Sequence, residues 1–299
     1  MAIPPGPRHS GPCFSMSLAA ERSPRFRPAP DLHYAVVRMT QGTDAISFHA
    51  VSKRHDGATA LDGISLAVRR GEFLAVVGPS GAGKSTLLRL VNRLSEPSEG
   101  TVRVDGSDVR DIDAVALRRR IGYVFQGVGL FPHMTVAENI AVTPRLLGWD
   151  KSRIAAHVDE LLDLVRLDRS RHRDRLPSEL SGGESQRVGV ARALAAGPRI
   201  VLMDEPFGAL DPITRAALGR DYRHLHDALG LTTVMITHDT LEAVLLADRI
   251  VVIRAGRIVA DGPPPVLLRR EQDDYVRELM AIPRRQAEQL GALLAAAQD

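Results

Sequence analysis

FLAVVGPSGAGKSTLLRLV, residues 73 to 91, sets three kinds of sequence in a row: a short apolar run, a glycine-rich turn and an amphipathic segment. The run before Gly78 has the length and near-continuous apolar character of a strand buried on both faces. Gly78, Gly81 and Gly83 permit the backbone conformations that turn successive N–H groups inward, and Pro79, Ser80 and Ala82 fill out the same loop. Leu87, Leu90, Val91 and Leu94 recur at i, i+3, i+4 and i+7, which predicts a helix with one apolar stripe against a sheet. The whole satisfies G-x-x-x-x-G-K-[ST], a socket for a polyphosphate at a helix N-terminus. Lys84 is expected to reach the β and γ phosphates, and the Ser85 hydroxyl, followed by Thr86, is suited to Mg²⁺. The bare pattern arises by accident in about one chain in a hundred of this length, so the strand before it and the helix after it carry much of the weight.

Outward from this stretch, RIVLMDE, TVMITHD and RIVVI repeat the apolar run that ends in polar residues, as central parallel strands do. ISFHAVSK, ISLAVRR and TVRVDG instead alternate, with turns such as Asp62-Gly63, and predict an antiparallel layer. VVIRAGRIVADG reads as a hairpin around Ala255 and Gly256. Ile154, Val158, Leu161, Leu162 and Val165 mark a helix far from any strand, so a helical subdomain is expected at about 130 to 195. The strand RIVLMD delivers Asp204 and Glu205 side by side at its carboxyl end, before Pro206 stops the pairing. Asp204 is placed to hold Mg²⁺ through its water shell, and Glu205, pointing the other way, to polarise an attacking water.

ELSGGESQRVGVARALAAGPR, residues 179 to 199, contains an S-x-x-E capping box from Ser181 to Glu184 and a Gly-Pro stop at 197 and 198. An ordinary capped helix does not need Gly182 and Gly183, which cost stability in the first turn. They leave its N–H groups open to close approach, which suits a phosphate.

With these residues in hand, the chain resembles the ABC ATPases over about 45 to 265. GPSGAGKST, Gln126 in GYVFQ, LSGGE, LMDE, Asp211 in GALD and His238 in THD stand in that family's order. The resemblance implies a P-loop (RecA-like) α/β core with an antiparallel β layer and an inserted helical subdomain. It implies ATP and Mg²⁺, and a homodimer in which the LSGG of one subunit closes over ATP held by the other. Gln126 would link Mg²⁺ and the water site to a membrane partner, Asp211 would make a cross-dimer contact, and His238 would sense the γ-phosphate. Two residues depart from the pattern. Glu184 replaces the usual glutamine and adds a negative charge near the phosphates, and His55, in VSKRHDG, stands where an aromatic ring usually stacks on adenine. GLFPHMTVAENI, PRLLGW and DEPFGALDPITR are most similar to the ATPases of bacterial osmoprotectant importers, which implies glycine betaine, choline or carnitine as cargo, separate permease subunits, and a solute-binding protein. The alternative within transporters is an importer of another small solute, such as an amino acid or a sulfonate. A soluble ABC protein of DNA repair would carry a coiled coil, zinc modules or a second cassette, and a P-loop kinase would lack LSGG.

Composition narrows the classes further. Lys and Arg number 39 against 36 Asp and Glu, a small surplus that argues against nucleic acid as a partner. The single cysteine, Cys13, excludes a disulfide framework and a Cys-based metal site, which fits a reducing cytoplasm. Residues 1 to 43 are Pro- and Arg-rich and are expected to be a disordered leader, with Met39 as a second candidate start. The ATPase domain is expected over 44 to 265 and a helical tail over 266 to 299, which leaves no room for the paired regulatory domains of many relatives.

Overall fold

In a computed structural model of the chain, the structure describes residues 44–55, 57–269 and 273–296. The leader expected at 1 to 43 lies outside the described residues.

The alternating segments form a four-stranded antiparallel sheet. β1 (Asp44–His55) pairs with β2 (Ala58–Arg69) on one side and β4 (Glu99–Val104) on the other, and β5 (Ser107–Asp108) closes the order β2-β1-β4-β5. Asp62-Gly63 is not the hairpin turn expected from the sequence. The chain reverses between His55 and Ala58, and Asp62-Gly63 lies inside β2 at a register shift. Gly63, at φ 61°, forms a bulge there, and its N–H donates to the Ser52 hydroxyl at 3.0 Å. An aspartate-glycine pair marks a positive φ, and a bulge meets that need as well as a turn does.

The apolar runs build a six-stranded sheet. β3 (Phe73–Val77), β6 (Ile121–Val124), β7 (Ile200–Asp204), β8 (Thr232–Ile236) and β9 (Arg249–Arg254) are parallel, and β10 (Arg257–Gly262) returns antiparallel, in the order β10-β9-β3-β8-β7-β6. Every residue of β3, β7 and β8 is buried. Their side chains divide by the two-residue period between two cores: Phe73, Ala75, Val77 and Met203 on one face, Leu74, Val76 and Leu202 on the other. Sequence reasoning missed β6, whose four residues include Gly122 and carry too short an apolar run.

One face of this sheet packs against α1 (Lys84–Val91) and the antiparallel sheet. The other meets α6 (Gly182–Leu194), α7 (Pro212–Leu229) and α8 (Thr240–Leu246), and with them α3 (Val136–Leu146) and α4 (Lys151–Leu164). Ile140, Val158 and Leu162 therefore share a buried cluster with Phe73 and Val77 and do not form a separate core. Asp221 on α7 pairs with Arg166 at 2.6 Å and with Arg187 of α6 at 2.8 Å, tying α7 to the end of α4 and to α6. The remaining helices are α2 (Ala114–Arg120), α5 (Arg169–His172), α9 (Pro264–Leu267) and α10 (Asp274–Ala296). Leu94 departs from its expected place on the α1 stripe. The helix stops at Val91 with Asn92 as its cap, Arg93 turns to φ 53°, and Leu94 is 52 % exposed.

Candidate functional site

β3 feeds the glycine-rich turn into α1 at the carboxyl edge of the parallel sheet. Two of its glycines are required by neighbouring backbone. A Cβ on Gly78 would lie 2.0 Å from the Ile253 carbonyl oxygen, and one on Gly83, at φ 99°, would lie 2.2 Å from that of Ala60. Gly83 also caps α1 without any side-chain bond, so the first-turn N–H groups remain available to an anion. Lys84 is buried, and its ammonium donates to the Gly78 and Pro79 carbonyls at 2.8 and 2.9 Å, which hold it at the centre of the loop. Burial lowers its pKa, opposed by the carboxylates of Glu205 and Asp204. The Ser85 hydroxyl donates to Asp204 Oδ1 at 3.1 Å.

Asp204 closes β7 with its carboxyl buried, and desolvation raises its pKa against the bond from Ser85. The phenol of Tyr123 on β6 is pushed up to about 12, mainly by burial and further by the Asp204 charge. The next residue, Glu205, sits at φ 45°, a left-handed conformation that costs a non-glycine residue about 1 to 2 kcal/mol. Its N–H donates to the Ile236 carbonyl of β8 at 2.9 Å, which helps to hold that conformation. Glu205 Oε2 accepts from Gln126 Nε2 at 3.0 Å and lies 3.3 Å from His238 Nδ1. Three residues from distant parts of the sequence thus meet at one carboxylate oxygen, beside the Ser85–Asp204 pair.

The donor set fits Mg²⁺, which takes one or two protein oxygens together with phosphate and water. Ser85 and Asp204 already present adjoining oxygens, and Gln126 adds an amide. No cluster of three or more His, Cys, Asp or Glu suited to a metal occurs among the described residues, so an ion here would also rest on nucleotide oxygens.

The signature turn lies at the start of α6. Glu184 N–H donates to the Ser181 hydroxyl at 3.3 Å, and Ser181 N–H donates back to Glu184 Oε2 at 2.8 Å, which completes the capping box. The Glu184 carboxyl is held down to about 2, first by the Ser181 backbone N–H and then by His172. Gly182 is exposed, whereas a Cβ on Gly183 would come within 2.7 Å of Thr214 Cγ2, at the start of α7. Asp211 caps that helix by accepting from the Ile213 and Thr214 N–H groups at 3.1 and 3.0 Å. Among the described residues no hydrogen bond or ion pair joins the signature turn to the P-loop. His55 is exposed at the end of β1, with no side-chain hydrogen bond or ring contact among the described residues.

Sequence reasoning missed the residues that shape the segment after Gln126. Asn139 on α3 is wholly buried: its Oδ1 accepts from Phe131 N–H at 2.8 Å, and its two amide protons are shared among the Phe131, Met134 and Thr135 carbonyls. Arg192 of α6 donates to the Val128 and Gly129 carbonyls and sits about 6 Å from the rings of Phe125 and Phe131. Both rings are partly exposed and line a cleft of about 370 Å³ with Arg118, Arg119 and Leu94. The available signal was Asn139 itself, a polar residue on the apolar face that α3 makes with Val136 and Ile140.

Residues 61–208 match the model of the ABC transporter family. The chain is similar to the choline transport ATP-binding protein OpuBA of Bacillus subtilis (strain 168), at 48 % identity over 79 % of this chain and 62 % of that protein. It is similar to the glycine betaine uptake system ATP-binding protein YehX of Escherichia coli (strain K12), at 47 % identity over 78 % of this chain and 75 % of that one. The chain thus spans less than two thirds of the Bacillus relative. Among solved structures, a dimeric bacterial ABC transporter cassette superposes with a TM-score of 0.67 at 33 % identity, over 73 % of this chain and 98 % of that one. Fold, site and relatives agree: the chain belongs to the family of ABC transporter ATP-binding proteins.

Proposed function

We propose that the chain hydrolyses ATP as one half of an ATP-sandwich homodimer and so powers uptake of a small quaternary-amine osmoprotectant such as glycine betaine or choline. The observation that carries this reading is the meeting of Gln126 and His238 on Glu205 Oε2, beside Lys84, Ser85 and Asp204. In this reading Glu205 is the base, His238 the residue for the γ-phosphate and Gln126 the amide that would meet Mg²⁺ through its oxygen, and their meeting supports hydrolysis of a bound triphosphate.

In this reading the loop from Gly78 to Thr86 cradles the phosphates and Lys84 reaches the β and γ groups. Ser85, Asp204 and Gln126 would hold Mg²⁺, which would neutralise charge on those phosphates. Glu205 accepts a proton from the attacking water, and His238 faces the γ-phosphate. Gly182 and Gly183 of a second copy offer their helix start to the same phosphate, and Asp211 crosses between copies. Losing that phosphate removes the charge that holds the dimer shut. The cleft of Phe125, Phe131 and Arg192 receives the permease, so opening and closing reach membrane subunits served by a solute-binding protein on the far side. The chain itself works at the cytoplasmic face of the bacterial membrane, and no described helix is long and apolar enough to cross one.

The names of the relatives support the choice of solute. The test has two arms. The purified chain with ATP and Mg²⁺ should release phosphate without any acceptor. The solute-binding protein encoded beside it should bind glycine betaine or choline in preference to amino acids and sulfonates. A preference for an amino acid would overturn the solute and leave the ATPase standing.

A further inference from the structure

Glu184 puts a carboxylate in the first turn of the helix that is read here as closing on a phosphate. Its surroundings contain a feature that nothing in the nucleotide site uses. His172, at the end of α5, is buried, and both of its ring nitrogens face acceptors. Nδ1 lies 2.8 Å from the Asp168 carbonyl oxygen, and Nε2 lies 3.0 Å from Glu184 Oε1. A carbonyl oxygen has no proton to give, and neither has an ionised carboxylate, so both nitrogens must donate. A ring that donates at both nitrogens is an imidazolium.

We propose that His172 is a positioning residue of the signature turn. As the imidazolium it cancels the charge of Glu184, so that the helix start keeps its attraction for the γ-phosphate of ATP held by the other subunit. The inference rests on the cross-dimer reading of the signature made above. One carboxylate serves two partners: Oε2 completes the capping box with Ser181, and Oε1 takes the imidazolium. Without the second bond the cap would stand, but an uncompensated negative charge would face the phosphate.

Charged groups on the neighbouring elements have partners of their own. On α4, Asp159 is paired with Arg173 and Glu160 with His157. On α3, Glu138 serves its own cap through Thr135. The Asp168 carboxylate accepts from Ser170, and Arg187 on α6 is held by Asp221. Arg169, Arg171 and Arg175 flank the ring along the chain. Among the described residues Glu184 is the carboxylate bonded to His172.

Replacing the ring by a neutral amide leaves the Glu184 charge uncompensated, so ATP-driven closure should weaken in His172→Gln. The test uses the full chain carrying Glu205→Gln, in which cleavage is blocked, and reads the ATP and Mg²⁺ dependence of dimer formation by sedimentation. Adding His172→Gln is expected to lower dimer affinity roughly three- to tenfold, the scale of one charge at a helix terminus. Adding Glu184→Gln to that variant should restore the affinity, while circular dichroism checks that each variant folds. A dimer whose affinity ignores His172→Gln and Glu184→Gln alike would overturn the role of His172 and leave the cross-dimer reading intact. No ATP-dependent dimer in any variant would overturn that reading itself, and this inference with it.

Discussion

The P-loop end of the molecule and the signature turn, both read here as meeting phosphate, handle their polar groups differently. At the P-loop end the side chains are bound to one another within the chain: Lys84 to its own loop, Ser85 to Asp204, and Gln126 and His238 to Glu205. At the signature turn the bonds of Ser181 and Glu184 run inward, to the cap and to His172, and Gly182 is exposed, with Leu210 Cδ2 3.5 Å from where a Cβ would stand. The first region is preorganised as a set of mutually positioned groups; the second is a helix start kept clear. On the proposed reading, a chain that carries one of each, unlinked to one another, is a half-site.

The strongest way to break that contrast is to disable the first region while keeping its shape. Glu205→Gln preserves size, and its amide oxygen can accept from Gln126 as the carboxylate does, but it removes the proton acceptor, which should cost about 10² to 10⁴ in hydrolysis rate. ATP and Mg²⁺ should still bind, and the variant should accumulate as an ATP-dependent dimer on size exclusion. Gly182→Glu in that background should abolish the dimer, because an anion then stands at the exposed start of the signature helix. A wild-type rate in Glu205→Gln would break the assignment of the base.

Lys84→Ala removes the cation from the cradle. Loss of one charge-assisted contact costs about 1.5 to 3 kcal/mol, so ATP affinity should fall roughly ten- to more than a hundredfold by isothermal titration. An unchanged affinity would mean that Lys84 serves its own loop alone.

One atom at the P-loop end departs from the pattern. Glu242, on α8 just beyond His238, has a buried Oε1 with no hydrogen-bond partner among the described residues. Burial raises its pKa to about 7, against a bond from Thr237 and with Asp239 adding to the rise. A carboxyl raised in the folded state contributes stability that is complete below its ordinary value near 4.5 and is lost as pH climbs to about 7. Glu242→Gln should therefore stabilise the chain by about 1 to 3 kcal/mol at pH 8 and by less at pH 5, as read by urea denaturation. Equal gains at both values would show that the fold does not raise the pKa of this carboxyl. The smallest effect concerns the cleft. Phe131→Ala should reduce solute uptake by the assembled transporter roughly two- to tenfold and reduce ATP hydrolysis by the isolated chain less than that. Equal losses would show that the ring supports the fold and not a partner.

The parallel sheet was legible because FLAVV, IVLMD and TTVMI are buried on both faces, which leaves runs that nothing but a central strand explains. β6 was not, because IGYV is short, holds a glycine and draws its burial from neighbours far along the chain. The signature capping box was visible in its spacing, and T-V-A-E from Thr135 to Glu138 carries the same grammar and caps α3 in the same way. Lys84, Ser85, Asp204 and Glu205 could be named from motif and strand end. The pairing of Glu184 with His172 could not, since it joins two helices through a fold that neither residue announces. Gly78 and Gly83 were read as phosphate glycines, but the approach of the Ile253 and Ala60 carbonyls would demand them even without a ligand.

Asn139 spends its entire amide on the backbone from Phe131 to Thr135 and presents nothing to the outside. The contour of that segment is thus written by a residue no visitor touches, while Phe131 and His133 supply only its texture. On the permease-docking reading proposed above, a socket divided in this way would be modular: its outward side chains could change without redrawing the frame that carries them. Retargeting the ATPase to a foreign permease would then be a matter of grafting surface residues onto the frame held by Asn139.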